Sequence, residues 1–320
     1  MSNISRRDAM IMLAAGTAAS LRAPSAWAAA GEQAPGYYRT AVGNLAVTTL
    51  YDGEVRRPID ASYVRNAPLD EVRGALAGAL LPTAHIDNPY TFTAVQAGDE
   101  LVLIDTGTGD LLAPSIDDGD ASMAAAGIDR SAVAKVILTH YHPDHVGGLA
   151  LPDGTPAFPN ATVYVPRGEH AFVHDASMTE RLPQMMQDFA AAARQRLSLY
   201  GNRVRLFEDG EALASGVRAL ATPGHTPDHH AIVLEDGGER LIVVGDAVTY
   251  PALFVTNPGW HVIFDGDGPR AAQTRRALLS EAAQTGARLV GTHFPFPSIG
   301  RVTPQGEGFA YVPDRWTVLD

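Results

Sequence analysis

Short runs of β-branched and apolar residues recur along the chain at Leu45 to Leu50, Phe92 to Gln96, Leu101 to Ile104, Val136 to Thr139 and Thr162 to Val165. They resume at Val217 to Ala221, Ala231 to Glu235, Leu241 to Val244 and Leu289 to Val290, so the pattern predicts nine strands. Four stretches with helical spacing, Leu69 to Ala79, Ser115 to Ala126, Leu182 to Tyr200 and Pro269 to Thr285, predict helices between some of them. The class is therefore mixed α/β, of the α+β kind. Gly and Pro residues punctuate the pattern as turns, and no low-complexity or charge-blocked stretch marks a linker, so residues 31–320 are expected to form a single domain. The halves 37–200 and 201–320 each run strands first and a helix later, which is the pattern of an internal duplication.

The first thirty residues follow a different pattern. Ser5-Arg6-Arg7 precedes an apolar stretch from Ala9 to about Leu21, and Ala26-Trp27-Ala28 matches an A-x-A cleavage site. This predicts an export signal over residues 1–30, of the twin-arginine kind and cleaved near Ala28, although Asp8-Ala9-Met10 departs from the usual aromatic residue or leucine after the pair. The mature protein would then be periplasmic or secreted, with no membrane association.

Composition narrows the chemistry. With 24 basic and 36 acidic residues among 320 the net charge is −12, and Lys135 is the only lysine, so a nucleic-acid partner is disfavoured. There is no cysteine, which removes disulfides, thiol nucleophiles and thiolate metal sites together. Any metal must sit on His, Asp or Glu.

Those residues gather after strand ends. Val136-Ile137-Leu138 leads into Thr139-His140-Tyr141-His142-Pro143-Asp144-His145-Val146-Gly147-Gly148, which puts four ligand-type side chains within six positions. Thr222-Pro223-Gly224-His225 follows another run, Gly245-Asp246 a third and Gly291-Thr292-His293 a fourth. Imidazole and carboxylate suit a divalent metal such as zinc, and loops at the C-terminal edge of a sheet bring distant residues into one cleft. A lone loop histidine is usually solvated. Seven ligand-type residues in this order, five of them among only 11 histidines, point to a metal site.

These segments, THYHPDHVGG, PGHTPDH, GDA and GTH, resemble the metallo-β-lactamase superfamily from about residue 37 to the C-terminus. The flanking Ala34-Pro35-Gly36-Tyr37-Tyr38-Arg39, Leu50-Tyr51-Asp52-Gly53, Leu103-Ile104-Asp105-Thr106-Gly107 and Phe294-Pro295-Phe296-Pro297-Ser298-Ile299-Gly300 are similar to the methyl parathion hydrolase-like group within it. The resemblance implies a four-layer αββα sandwich and two divalent metal ions, with zinc the expected species. His140, His142 and His225 would hold one ion, Asp144, His145 and His293 the other, and Asp246 would bridge them. A metal-bridging hydroxide would cleave an ester-type bond in a small-molecule substrate. Asp144 would pass a proton to the leaving group, and Tyr250, four residues past Asp246, would stabilise the developing charge. His229 and Asp105 are expected to support ligands rather than bind metal. Relatives are often dimers, so a homodimer is the expectation.

Apolar residues between the motifs, namely Leu111, Leu112, Phe172, Val173, Phe189, Leu253, Phe254, Trp260 and Phe264, are candidates for the pocket wall. Met178, Met185, Met186 and Phe189 are spaced for one helix face. Leu112 and Val173 stand where that group carries large aromatics, which moves the expectation from nitrophenyl phosphotriesters toward lactones and carboxylic esters. Two other readings remain: a mononuclear iron sulfur-dioxygenase or other non-hydrolytic member of the superfamily, and a metal-binding protein without turnover.

Overall fold

The computed structural model describes residues 36–112 and 118–316. The expected export signal and the first three residues of the helix expected from Ser115 lie outside them. Strands β1 (Tyr37–Val42), β2 (Leu45–Pro58), β3 (His85–Ala97), β4 (Glu100–Ile104), β5 (Val133–Ile137), β6 (Thr162–Pro166) and β7 (Val204–Phe207) lie side by side in that order in one sheet. The second sheet contains β8 (Ala212–Ala214), β9 (Val217–Ala221), β10 (His230–Asp236), β11 (Glu239–Val243), β12 (Arg288–Val290), β13 (Ile299–Gln305) and β14 (Gly308–Pro313), again in sequence order. In the first sheet β4 to β7 run parallel, and in the second β11 runs parallel to β12.

The helices are α1 (Leu69–Gly78), α2 (Gly119–Ala125), α3 (Pro143–Val146), α4 (Arg167–His174), α5 (Ala176–Thr179), α6 (Gln184–Ser198), α7 (Pro251–Phe254) and α8 (Gly268–Thr285).

Apolar runs that bury both faces explain the layering. Along β4, Val102 and Ile104 face the space between the sheets while Leu103 joins the outer cluster. Along β11, Leu241 and Val243 face inward and Ile242 outward. Ala190, Ala193 and Leu197 of α6 cover the outside of the first sheet, and Leu278, Leu279 and Ala282 of α8 cover the second. The result is the expected αββα order. Each fully buried Val, Leu or Ile contributes roughly 1.5–3 kcal/mol relative to exposure, so the two-faced runs carry most of the driving force.

All nine expected strands are present. The five that sequence patterning missed are β1, β7, β8, β13 and β14, short or polar strands toward the sheet edges where one face is not buried. Each half of the chain supplies one sheet, and the first sheet extends to Phe207, past the break expected at residue 200. The methionines do not share one helix: Met178 lies on α5 and Met185 and Met186 on α6, because Pro183 separates the two helices.

Candidate metal centre

The site is assembled from turns at strand ends. Asp105, the first residue after β4, has a left-handed backbone (φ 60), a conformation an aspartate tolerates better than most residues. Its carboxylate accepts the backbone N–H of Thr139 (2.8 Å) and the Thr139 hydroxyl (2.8 Å), fixing the loop after β5. Pro143 then opens α3, and this single turn brings Asp144 and His145 back over the strand ends. Gly147 and Gly148 are required by close approach: a Cβ on either would collide with the carbonyl oxygen of Thr108 or Thr106. Gly147→Ala is accordingly expected to cost about 3 kcal/mol or more, read by chemical denaturation.

Two groups of side chains converge here. His140, His142, His225 and Asp246 form one, and Asp144, His145, Asp246 and His293 the other; within each, the four ligand atoms lie within 4.8 Å of one another. Asp246 belongs to both. One of its oxygens lies 3.3 Å from Nε2 of His225 and of His293, and the other lies 3.3 Å from Nε2 of His145. Asp144 Oδ2 is 3.3 Å from His293 Nε2, and His142 Nδ1 faces His225 Nε2 at 2.9 Å. All seven residues expected to hold metal are thus brought together.

Whether they suit an ion is tested by their unpaired atoms. Nε2 of His140, His142 and His145 and Oδ1 of Asp246 are buried without a hydrogen-bond partner. Each such orphan costs about 1–3 kcal/mol, so a fold that gathers four in two adjoining clusters is built for something that satisfies them. Imidazole nitrogens and carboxylate oxygens are the donors of a divalent metal pair.

Charge is balanced within the clusters. Burial alone would push His145 down, but Asp105, Asp144 and Asp246 outweigh it and hold this histidine well above its ordinary value. His293 is raised in the same way by Asp246 and Asp144 against its burial. Asp144 is drawn down to about 2: burial opposes this, but His145 and His293 prevail. His140 and His142 go the other way, pushed down by burial and neighbouring imidazoles, His142 to about 3. The stability that the raised histidines lend the metal-free fold is complete below their unfolded value and fades as pH climbs through the raised one. Metal binding follows the opposite course, since ligands must lose their protons. Binding at neutral pH is expected to expel protons from His145 and His293 and to tighten as pH rises. Calorimetry in buffers of different ionisation enthalpy counts them, and zero released would show both rings already neutral.

Supporting contacts hold the rings. His145 Nδ1 lies 2.7 Å from Asp105 Oδ2, and His293 Nδ1 lies 2.9 Å from the Pro89 carbonyl. His229 belongs to neither cluster: its Nε2 accepts the backbone N–H of Asp246 (3.1 Å) and its Nδ1–H donates to Thr222 Oγ1 (2.7 Å). His225 Nδ1 lies 3.1 Å from Asp265, which itself accepts from Arg275 (3.1 Å). Sequence reasoning missed Asp265 and Arg275, for which the only sequence cue is an aspartate in the Gly-rich turn before α8.

Tyr250 is not among the residues that line the cleft. It is buried in an apolar group with Tyr63, Leu253 and Phe254, and the charges acting on its hydroxyl are Asp87 and Glu54. The preceding Thr249 lines the cleft beside His142, Asp144, Asp246 and His293, while Pro251 starts α7 directly after the tyrosine. Tyr63, Tyr90 and Arg57 stand on the cleft wall instead.

That cleft is narrow, about 50 Å³, and includes Leu112, Phe189 and Phe264 of the expected wall. An adjoining cavity of about 600 Å³ shares His142 and Phe189 with it and is lined by Phe172, Val173 and Met186. Glu169 is buried at its side, its carboxyl pushed up to about 7 by desolvation. Leu253 and Phe254 are core residues, with Trp260 packed against them and Leu111 against the outer face of the first sheet.

Paired sheets with two histidine and aspartate clusters on their common rim define a metal-site protein of the αββα class. The chain belongs to the metallo-beta-lactamase superfamily, whose family model matches residues 87–293. The chain spans about half the length of the curated relatives it matches first. One of these, a probable metallo-hydrolase of Mycobacterium tuberculosis, is 28% identical over 188 residues, covering 48% of this chain and 54% of the relative. Among solved structures, AidC, a dizinc quorum-quenching lactonase, superposes with a TM-score of 0.84 at 23% identity, covering 90% of this chain and 100% of its own. The hydrolase AbOPH of the beta-lactamase superfamily gives 0.83 at 26% identity with the same coverage.

Proposed function

We propose that this chain is a metal-dependent hydrolase that cleaves an ester-type bond in a small molecule, with lactones and carboxylic esters ahead of phosphotriesters. The observation that carries this reading is the pair of clusters sharing Asp246, with orphaned ligand atoms, beside a cleft. A bound divalent pair, zinc being the expected species, supplies Lewis acidity and a water acidified from about 15.7 to about 7. His140, His142 and His225 hold one ion, Asp144, His145 and His293 the other, and Asp246 both. Asp144, the least enclosed of the seven, would collect the proton that the attacking water gives up and pass it to the leaving alkoxide. The likeness to a lactonase supports the choice of substrate, as do the non-aromatic side chains of Val173 on the wall of the apolar cavity and of Leu112 on that of the narrow cleft.

The test is kcat/KM of the purified protein on an aliphatic lactone, an aryl ester and methyl parathion, each with and without chelator. Lactone or ester turnover that chelator abolishes and zinc restores is expected. Dominant phosphotriester turnover would reverse the substrate order, and chelator-resistant activity would remove the metal from the reading. Export is part of the same proposal: N-terminal sequencing of the mature protein should begin near Ala29, in a periplasmic or secreted fraction.

A further inference from the structure

Among the described residues, Arg57 is the one arginine or lysine on the wall of the metal-site cleft. It projects from β2, opposite Ile86 of β3, into a space shared with Asp144, Asp246 and His293. One of its terminal nitrogens donates to the Tyr90 hydroxyl at 3.1 Å, and its guanidinium carbon lies 5.3 Å from the centre of the Phe264 ring. Its Nε–H is buried with no acceptor. Several other enclosed basic side chains have carboxylate partners, Arg275 with Asp265 at 3.1 Å, Lys135 with Glu100 at 2.7 Å and Arg196 with Asp110, while the half-buried Arg194 and Arg203 are held by backbone carbonyls outside the cleft. Among the described residues no carboxylate lies within ion-pair distance of Arg57. The neighbouring Arg56 points outward and pairs with Asp87 at 2.7 Å.

A guanidinium held on the cleft wall by an aromatic face and a phenol, with no carboxylate to neutralise it, is pre-organised for an anion that arrives from outside. The planar fork of arginine matches a carboxylate, and such charge-assisted bonds are the stronger ones. Asp144 is near enough to act on Arg57, but it is committed to the second cluster.

We propose that Arg57 forms an anion subsite with Tyr90 at the Asp144 and His293 end of the cleft, so that the enzyme prefers esters or lactones carrying a carboxylate close to the scissile bond. This deepens the hydrolase reading and rests on it. Arg57 is then a specificity-determining residue, and the carboxylate it holds orients the scissile carbonyl toward the clusters.

The experiment compares ethyl hydrogen succinate with diethyl succinate, two esters differing by one charge, on the metal-loaded wild type and on Arg57→Gln and Arg57→Lys. The wild type should favour the monoanion in kcat/KM. Arg57→Gln should lose about ten- to a hundredfold more on the monoanion than on the diester, with the loss mainly in KM, and Arg57→Lys should fall between. Equal losses on both esters would overturn the proposal and leave Arg57 a general stabiliser of the reacting oxygen. A second arm measures succinate binding by calorimetry, where the wild type should bind at least about tenfold tighter than Arg57→Gln. If neither ester is cleaved but this difference stands, the hydrolase reading fails while the subsite survives; equal binding by both proteins would sink the subsite.

Discussion

Asp246→Asn should reduce kcat/KM by at least about 10³-fold and lower the metal content of the purified protein at both positions, because this carboxylate is shared by the two clusters. Its two oxygens approach three histidine Nε2 atoms at 3.3 Å, and an amide would replace one oxygen with a nitrogen that donates hydrogen bonds and cannot ligate. Partners one step removed from a metal are worth 10–100-fold, which sets the floor for a direct ligand. The backbone should survive, since the Asp246 N–H bond to His229 is untouched by the change. His142→Ala is the asymmetric control: it removes one residue of the first cluster only, so metal loss should be confined to about one equivalent. Elemental analysis beside kcat/KM reads both. Full activity with full metal content in Asp246→Asn would remove it from the site.

The two clusters were legible because their members lie in short turns after apolar runs, and a strand end is a local feature. The strands themselves were legible for the same reason: β4 and β11 carry the unbroken hydrophobic stretches Leu101–Ile104 and Leu241–Val243, which pack on both faces. What stayed hidden was held by distance in sequence rather than by pattern. Asp265 reaches His225 across 40 residues, and Arg57 reaches Tyr90 across 33, with no motif around either. Tyr250 shows the opposite case: nearness in sequence to Asp246 suggested a place on the cleft, whereas Thr249 lines the cleft and Tyr250 packs with Tyr63, Leu253 and Phe254. The methionine stripe failed because helical spacing was read through Pro183, which breaks the helix.

Arg275→Ala should lower stability by about 3–5 kcal/mol, because it strands a buried charge. Arg275 and Asp265 are each fully enclosed at 0% exposure. The guanidinium donates to the carbonyls of Ala247 (3.0 Å) and Trp260 (2.6 Å) and to Asp265 Oδ2 (3.1 Å), tying α8 to the loops that carry Asp246 and Asp265. Against burial, which opposes ionisation, His225 and Arg275 keep the Asp265 carboxyl below its ordinary value. A carboxyl held down in this way stabilises the fold above its unfolded value, and that contribution is lost as pH falls through the folded one. Without Arg275 the loss should begin at higher pH. For a chain of this size the melting temperature should drop by about 6–20 °C, measured by calorimetry on the metal-free protein. Metal affinity should weaken as well, by about tenfold or more, since Asp265 fixes the ring of His225. The paired change Arg275→Met with Asp265→Asn separates the two roles. It removes both charges together, so most of the stability should return, whereas the carboxylate that oriented His225 is gone and metal affinity should stay low.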